Sequence, residues 1–196
     1  MQIILASASP RRKELLSLFG IDFTVKVPHI HENIQNGEKP GDFCRRISLE
    51  KAFAVGKDYN AAAIIAADTV VVVEGNILGK PRDERQAHEF LMMLKNREHD
   101  VFTGYAIVII AQNTTRTNVV QTRVHFNDMS TDEIAWYIAS REPMDKAGAY
   151  AIQGLGSIFI DRIQGSFSNV IGLPLSHLYD DLKALDIPLK SHQGGN

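Results

Sequence analysis

Apolar positions recur with two different periods along the chain, and this pattern predicts alternating strands and helices. The predicted strands are Gln2–Ala6, Asp22–Val27, Ala61–Val73, Asp100–Ala111, Thr117–Phe126 and Ser157–Ile163. The predicted helices are Pro10–Gly20, Asp42–Lys57, Asp83–Asn96, Ser130–Ala139 and Ser176–Leu185. Because helices and strands alternate while two long strands resemble a hairpin, we expect an α/β fold, bordering on α+β, with a mixed sheet.

Local signals support several of these boundaries. Ser9-Pro10 combines a favoured N-cap with a favoured first helical residue. Ser130 with Glu133 forms a capping-box pattern, and Glu74-Gly75-Asn76 is typical of a hairpin turn. We expect residues 1–190 to form one domain and the polar end 191–196 to be a disordered tail.

Composition narrows the class of protein. The chain has 196 residues, 44% of them hydrophobic, with 21 basic against 23 acidic residues and a formal net charge of -2. This balance argues against nucleic-acid binding. Cys44 is the only cysteine, so no intramolecular disulfide can form, and a buried small side chain is the favoured interpretation. The apolar start is too short for a secretory signal or a membrane span, so we expect a cytoplasmic protein without membrane association.

The segment from Ser7 to Arg12 places two arginines, Arg11 and Arg12, in the first turn of a predicted helix. Cations are unfavourable there by ~0.3–1 kcal/mol each, because the helix N-terminus carries partial positive charge. A bound phosphate would reverse that penalty, since backbone amides, Ser7 and both guanidinium groups could contact one polyanion. A phosphate site is therefore favoured over a solvated arginine pair.

Asp68 interrupts an otherwise apolar strand and precedes Thr69. An unpaired carboxylate in such a strand would cost several kcal/mol of desolvation. Hydrogen bonds from backbone amides or a lysine could satisfy it, and so could a divalent cation. From the residues alone these interpretations are equally good.

Further charged residues are candidates for phosphate or metal contacts. Gly79-Lys80-Pro81 is not a phosphate-binding loop of known spacing, but Lys80 could supply a point charge, with a solvated lysine as the alternative. For Lys51 a surface ion pair is the better interpretation without context. His29 and His31 lack a third zinc ligand, which leaves Glu32 as an oxygen ligand for magnesium or manganese.

A fourth cluster runs from Glu142 to Gly154 and combines small residues with charged ones. Its small residues allow close backbone approach, and Gln153 can both donate to and accept from the edge of a base. A tightly packed turn is the alternative interpretation. We expect Trp136 and Tyr150 to lie in the core rather than to stack on a base.

Taken together, these segments resemble the Maf nucleotide pyrophosphatases. The resemblance rests on the segments Ser7–Arg12, Ala67–Thr69, Gly79–Pro81, Glu142–Gly154 and Val170–Pro174, which keep their order along residues 2 to about 186. It implies a two-lobed fold related to the inosine triphosphate pyrophosphatases, with an elongated mixed sheet and a deep central cleft. It also implies metal-dependent hydrolysis of a nucleoside triphosphate between its α- and β-phosphates.

The same resemblance suggests roles for individual residues. Asp68 matches the proton acceptor and Glu32 a metal-linked acid, with Mg, Mn or Co as the cation. The positions that match polyphosphate contacts are Ser7, Arg12, Lys51 and Lys80. Arg11, Thr69 and Gln153 match positions linked to base choice in the branch that hydrolyses dTTP and UTP.

Two departures from the family pattern accompany this match. Pro28-His29-Ile30-His31 replaces the acidic stretch usual near Glu32, and Arg141 stands where a small or acidic residue is common. The alternatives are a non-catalytic nucleotide-binding regulator of cell division and a pyrophosphatase for non-canonical purine nucleotides. A homodimer is the default expectation for the assembly, because symmetric dimers are the commonest oligomers.

Overall fold

A computed structural model describes residues 1–187, which form a seven-stranded mixed sheet flanked by helices. The strands are β1 (Ile3–Ala6), β2 (Thr24–Lys26), β3 (Ala63–Val73), β4 (Asn76–Leu78), β5 (Glu98–Ile109), β6 (Thr114–Phe126) and β7 (Ile160–Gln164). The helices are α1 (Pro10–Ser17), α2 (Pro40–Gly56), α3 (Glu84–Leu94), α4 (Thr131–Ala139), α5 (Phe167–Ile171) and α6 (Leu175–Ala184). The predicted α/β fold with a mixed sheet is confirmed.

The strands follow the order β2-β1-β3-β5-β6-β7, and β4 pairs with β3 outside this path. β1 lies parallel to both β2 and β3, with Ile4 opposite Thr24 on one side and Ile64 on the other. β4 and β7 run antiparallel to β3 and β6, respectively. A 3-10 turn at Ile110–Gln112 leads from β5 towards β6, as expected for the predicted hairpin.

The chain divides into two compact units. Within the described residues, the first contains Met1–Asp68, Thr103–Val119 and residues 172–187, and the second contains Thr69–Phe102 and Val120–Ile171. In the first unit, residues of β1, α2, β3 and β5 share one apolar core. In the second unit, α3 and α4 contribute to a core that includes the aromatic residues Phe126, Tyr137 and Tyr150.

β3 is buried along most of its length, as its apolar sequence predicts. Asp68 interrupts this strand and is itself buried. The hairpin that follows turns through Glu74 and Gly75, whose φ angles are 49° and 79°. Two positive φ angles in succession are typical of a type I′ turn, which matches the twist of paired strands.

Gly104 of β5 allows α2 to approach the sheet closely. A Cβ atom at this position would lie 2.4 Å from the carbonyl carbon of Cys44, a distance that only a residue without a side chain can tolerate. Cys44 is fully buried beneath this contact, which confirms its predicted role as a small core residue. Gly104 thus sets the position of α2 on the first unit.

The structure corrects several of the predicted element boundaries. The strand predicted from Ser157 begins only at Ile160, because Leu155–Phe159 forms a 3-10 helix. Ser157 stabilises that helix by donating its hydroxyl to the carbonyl of Gly154 at 2.6 Å. The helix predicted to reach Asn96 ends at Leu94, since Asn96 has a φ of 52°. The first helix ends at Ser17 rather than Gly20.

The structure also tests the two predictions about aromatic side chains. Tyr150 lies in the core, but the prediction for Trp136 is wrong, because 51% of that residue is exposed on α4. Ile134 and Tyr137 of the same helix supply the buried contacts instead. The short helix α5 was not predicted, although Ser166 precedes it and accepts the amide of Asn169 at 3.3 Å. The tail predicted at 191–196 lies outside the described residues.

Candidate functional site

The start of α1 combines a cap with a pair of polar side chains. Ser9 caps the helix by accepting the amide of Arg12 at 3.4 Å, as its sequence predicts. The first turn contains no acidic residue, so no side chain of the turn offsets the partial positive charge of its amides and of the helix dipole. Such a terminus favours an anion.

Ser7 and Arg12 lie together beside this helix start. Ser7 is 4% exposed, and its hydroxyl accepts the amide of Ser9 at 3.1 Å and Arg12 Nη1 at 3.5 Å. Arg12 Nε donates to the carbonyl of Gly172 at 2.8 Å. The guanidinium is therefore fixed in direction by a backbone contact from a distant part of the chain. Arg11 is half-buried in the same turn.

Lys51 links two carboxylates. Its Nζ lies 2.7 Å from Asp68 Oδ1 and 2.8 Å from Glu32 Oε1. The Lys51 and Asp68 side chains are each 8% exposed, whereas Glu32 is 49% exposed. The buried Asp68 thus has a cationic partner, as a carboxylate in an apolar strand requires. We call Lys51, Asp68 and Glu32 the acid–lysine cluster.

The charges of this cluster act on one another and on Arg12. Burial raises the pKa of Asp68 above its usual value, while the positive charges of Lys51 and Arg12 oppose that rise. Burial lowers the pKa of Arg12, and the negative charges of Asp68 and Glu32 act in the other direction. An arginine stays protonated under such a shift. The first unit therefore concentrates two acids and two cations beside the start of α1.

A carboxylate held in this way can orient or deprotonate a water molecule, because burial raises its pKa and makes it a stronger base than an exposed aspartate. The adjacent cations and helix amides can stabilise negative charge as it develops on a phosphoryl group. The three members of the cluster are two acids and a lysine, and none of them is the nucleophilic Ser, Cys or Thr that acyl transfer commonly uses. This combination of groups therefore suits phosphoryl chemistry better than acyl transfer.

The carboxylates of Glu32 and Asp68 are also the candidates for a metal ion. Within residues 1–187, no group of three or more His, Cys, Asp and Glu side chains could hold a metal on its own. Mg²⁺ commonly binds through one or two carboxylates and completes its shell with substrate phosphates and water. Two hard oxygen ligands fit that pattern. His29 and His31 are both exposed in the connection that carries Glu32.

The other predicted site residues, Thr69, Lys80 and Gln153, belong to the second unit. Thr69 is half-buried, and it points to the opposite face of β3 from Asp68 because successive strand residues alternate. Lys80 and Gln153 are exposed. The amide of Gly148 donates to the carbonyl of Gly79 at 3.0 Å, so the segments that carry Lys80 and Gln153 are joined within this unit.

Two residues brace the turn around Gln153. Glu142 accepts the amides of Leu155 and Gly156 at 3.0 and 2.9 Å, and it accepts the hydroxyl of Tyr137 at 2.8 Å. The same hydroxyl accepts the amide of Ala151 at 3.1 Å. Nothing in the sequence pattern singles out Tyr137, because its spacing on α4 indicates only a core position. The tight turn expected at Gln153 thus depends on a buried polar network.

Arg141, which departs from the family pattern, has a structural role here. It follows the end of α4 with a φ of 65°, and its amide donates to the carbonyl of Ile138 at 3.0 Å. This geometry is that of a left-handed helix cap. Its guanidinium also pairs with Glu84 at the start of α3. The substitution therefore ties two helices of the second unit together.

The chain is similar to known proteins over most of its length. A family model described as Maf-like protein matches residues 2–185. The dTTP/UTP pyrophosphatase of Syntrophus aciditrophicus (strain SB) is 47% identical over 182 residues, covering 93% of this chain and 89% of that protein. The dTTP/UTP pyrophosphatase of Bacillus cereus (strain AH820) is 46% identical over 186 residues, covering 95% of this chain and 96% of that protein.

The fold also resembles a solved structure. The Ham1 protein of Staphylococcus aureus superposes with a TM-score of 0.55 and 14% sequence identity, covering 95% of this chain and 100% of that one. At this identity the likeness concerns the fold alone. Separately, no helix in the described part of the chain has the length and apolar character that a membrane crossing requires.

Proposed function

Because the chain belongs to the Maf-like protein family, we propose that it is a nucleoside triphosphate pyrophosphatase that acts on dTTP and UTP. The reaction hydrolyses the bond between the α- and β-phosphates and releases the nucleoside monophosphate and pyrophosphate. Relatives with 46–47% identity over most of their length carry the name dTTP/UTP pyrophosphatase. The family resemblance expected from the sequence is thereby confirmed.

The observation that carries this proposal is the acid–lysine cluster beside the start of α1. Lys51 Nζ lies within 2.8 Å of both Glu32 and Asp68, and the charges of those acids act on Arg12. A buried acid beside a polyanion-binding helix start is the arrangement that water attack on a phosphate requires. Catalysis then consists mainly of positioning and charge neutralisation.

In the proposed mechanism, the amides at the start of α1, the Ser7 hydroxyl and the Arg12 guanidinium bind the phosphates. Asp68 orients a water molecule and accepts its proton while the oxygen attacks the α-phosphorus. Lys51 offsets the charge on the departing pyrophosphate, and we assign Lys80 the same role only by its match to the family pattern. Each such electrostatic contact is worth roughly 10²–10³ in kcat.

Glu32 and Asp68 would hold the divalent cation, Mg, Mn or Co. When bound, the cation supplies charge neutralisation on the phosphate oxygens. Two protein carboxylates fit this role, because phosphate-bound Mg²⁺ needs few protein ligands. We assign base choice to Arg11, Thr69 and Gln153 by their match to the family pattern. We also propose a cytoplasmic location and a homodimer, as expected from the sequence.

The test is pyrophosphate release from a panel of triphosphates, measured with Mg²⁺, Mn²⁺ or Co²⁺, for the native protein and for Asp68→Asn. We expect UTP and dTTP to lead the panel. Asp68→Asn should keep its fold and nucleotide binding but lose at least ~100-fold in kcat. Asp58→Asn is the matched control, because Asp58 is exposed beyond the end of α2.

Three other outcomes of this test would count against the proposed mechanism or function. A folded Asp68→Asn with native turnover would exclude the mechanism. Nucleotide binding without pyrophosphate release by the native protein would favour the regulatory alternative. Inosine or xanthosine triphosphate ahead of UTP would favour a pyrophosphatase for non-canonical purines.

A further inference from the structure

The acid–lysine cluster poses a structural problem, because Glu32 lies in a connection without regular secondary structure. This connection, residues 27–39, links β2 to α2. Lys51 is buried but Glu32 is 49% exposed, and an ion pair with one partner half in solvent contributes little unless the geometry of that partner is fixed. Some other contact must therefore hold Glu32 against Lys51.

Arg46 of α2 supplies such a contact. Its Nε and Nη2 lie 2.7 Å from Glu38 Oε1 and Oε2, respectively, which makes a two-pronged ion pair. Nη2 also donates to the carbonyl of Asn33 at 2.9 Å, and Nη1 donates to Glu50 at 2.9 Å. The guanidinium lies over the ring of Phe43 at 5.6 Å. We call Arg46, Glu38 and the Asn33 carbonyl the arginine clamp.

The clamp is stronger than an ordinary surface pair. The Arg46 and Glu38 side chains are 24% and 10% exposed, and a fork-to-fork geometry restricts both side chains at once. Glu38 also accepts the amide of Gln35 at 3.0 Å, while its own amide donates to the Gln35 carbonyl at 3.0 Å. Arg46 holds the pKa of Glu38 down to about 2. The end of the connection is therefore anchored on α2.

The arginine clamp contacts residues that are adjacent in sequence to members of the acid–lysine cluster. Asn33, whose carbonyl contacts Arg46, directly follows Glu32 in the chain. Glu50, which also contacts Arg46, directly precedes Lys51. One guanidinium thus contacts the neighbours of both members of the Glu32–Lys51 pair. The bond to the Asn33 carbonyl fixes the backbone from which the Glu32 side chain extends.

We propose that Arg46 is a positioning residue, which holds Glu32 beside Lys51 and Asp68 through the arginine clamp. The function of the arrangement rests on the pyrophosphatase activity proposed above. Arg46 acts on the reaction through Glu32. Loss of the clamp should let residues 27–39 move away from α2 and weaken any cation held by Glu32. Residues that orient the ligands of a metal typically contribute roughly 10–100-fold in metal affinity or activity.

The test compares Arg46→Met and Arg46→Lys with the native protein. Lysine keeps the positive charge but cannot form the fork, so both variants should show the effect and Arg46→Met should show the larger one. Arg45→Lys is the matched control, because Arg45 is the preceding residue of α2 and forms an exposed pair with Asp42. The first measurement is hydrogen exchange of the amides in residues 27–39, which requires no activity.

We expect exchange in this connection to be at least ~10-fold faster in Arg46→Met and unchanged in Arg45→Lys. We also expect half-maximal activation to need ~10–100-fold more Mn²⁺, with a smaller change in the KM for UTP. Glu38→Gln should reproduce part of both effects, and adding it to Arg46→Met should cause little further loss, because both changes break the same contact.

Two results would overturn the proposal. The first is native hydrogen exchange in residues 27–39 of Arg46→Met. The second is a lower melting temperature with unchanged kcat/KM and unchanged Mn²⁺ requirement, which would show a purely structural role. Absence of pyrophosphate release by the native protein would instead refute the proposed function. The exchange measurement would still decide whether the clamp positions the connection.

Discussion

The protonation of Asp68 depends on two opposing effects at the scale of single residues. Burial raises its pKa, and the nearby charges of Lys51 and Arg12 counter that rise. A general base must be deprotonated at the working pH, yet its pKa should not be too low for proton transfer. In the proposed mechanism, the contact of 2.7 Å with Lys51 both satisfies the buried carboxylate and sets its basicity.

Replacing Lys51 with Met tests this balance. The variant keeps a side chain of similar length but removes the positive charge, so the pKa of Asp68 should rise further. Because kcat/KM increases with pH as Asp68 loses its proton, the acidic limb of the pH profile should move to higher pH, and the plateau should fall by ~100-fold. Steady-state kinetics across pH measures both effects.

Lys57→Met is the control for that experiment, since Lys57 is exposed just beyond the end of α2. Its pH profile should match that of the native protein. An unshifted acidic limb in Lys51→Met would show that Lys51 does not set the basicity of the catalytic group.

The sequence identifies some residues of the site but not the contacts between them. Asp68 stands out because a carboxylate within an apolar strand needs a partner. Its partner Lys51 does not stand out, because a lysine on a helix is most often a surface residue. Only the packing of α2 against the sheet brings the two together. Arg46 and Tyr137 are even harder to identify from the sequence, since most of their partners lie on separate segments of the chain.

Close packing of α2 on β5 is the decisive contact at the scale of elements. Gly104→Ala would place a methyl group 2.4 Å from the Cys44 carbonyl carbon and 2.5 Å from the Arg45 nitrogen. Backbone atoms of a helix cannot move aside as a flexible side chain can, so α2 would shift. We expect a loss of ~1–3 kcal/mol in the free energy of unfolding, measured by urea denaturation.

The shift should also reduce kcat, because α2 carries Lys51. Gly79→Ala is the matched control for stability, since a Cβ atom at Gly79 would meet nothing within 4 Å. Its free energy of unfolding should stay within ~0.5 kcal/mol of the native value. Equal stability of the two variants would show that the tight contact is relieved at no cost.

Most elements follow from the sequence, and the exceptions have a common cause. Hairpin turns and capped helices depend on neighbouring residues, which explains why β3, the turn that follows it and α4 match their predictions. The region around Leu155–Phe159 depends instead on Glu142 and Tyr137, which are distant along the chain. A pattern of apolar residues cannot distinguish a short strand from a 3-10 helix held by such contacts.

Stability of the whole molecule should depend on pH through a buried histidine. His99 is 3% exposed and contacts the Tyr150 hydroxyl at 2.8 Å, with the Phe126 ring packed against it. Burial lowers the pKa of His99 to about 4. An unfolded histidine has a pKa of about 6.5. The folded protein therefore excludes a proton that the unfolded chain accepts between these values.

The free energy of unfolding should accordingly fall as the pH drops below about 6.5, by about 2 kcal/mol at pH 5 from this residue. Urea denaturation at about pH 8 and about pH 5 measures the loss. His99→Gln removes the titrating group, so its loss between the two pH values should be smaller by that amount. An identical loss in both proteins would show that other groups cause the pH dependence.

Lys51 also has a consequence for the resting state of the molecule. Two neighbouring carboxylates normally need a counter-ion from solution, but in this chain Lys51 of α2 supplies the positive charge. Under the proposed mechanism, a divalent cation would therefore leave with the product without exposing an unpaired couple of negative charges. The two acids thus stay paired between turnovers, because Lys51 supplies a positive charge that belongs to the fold.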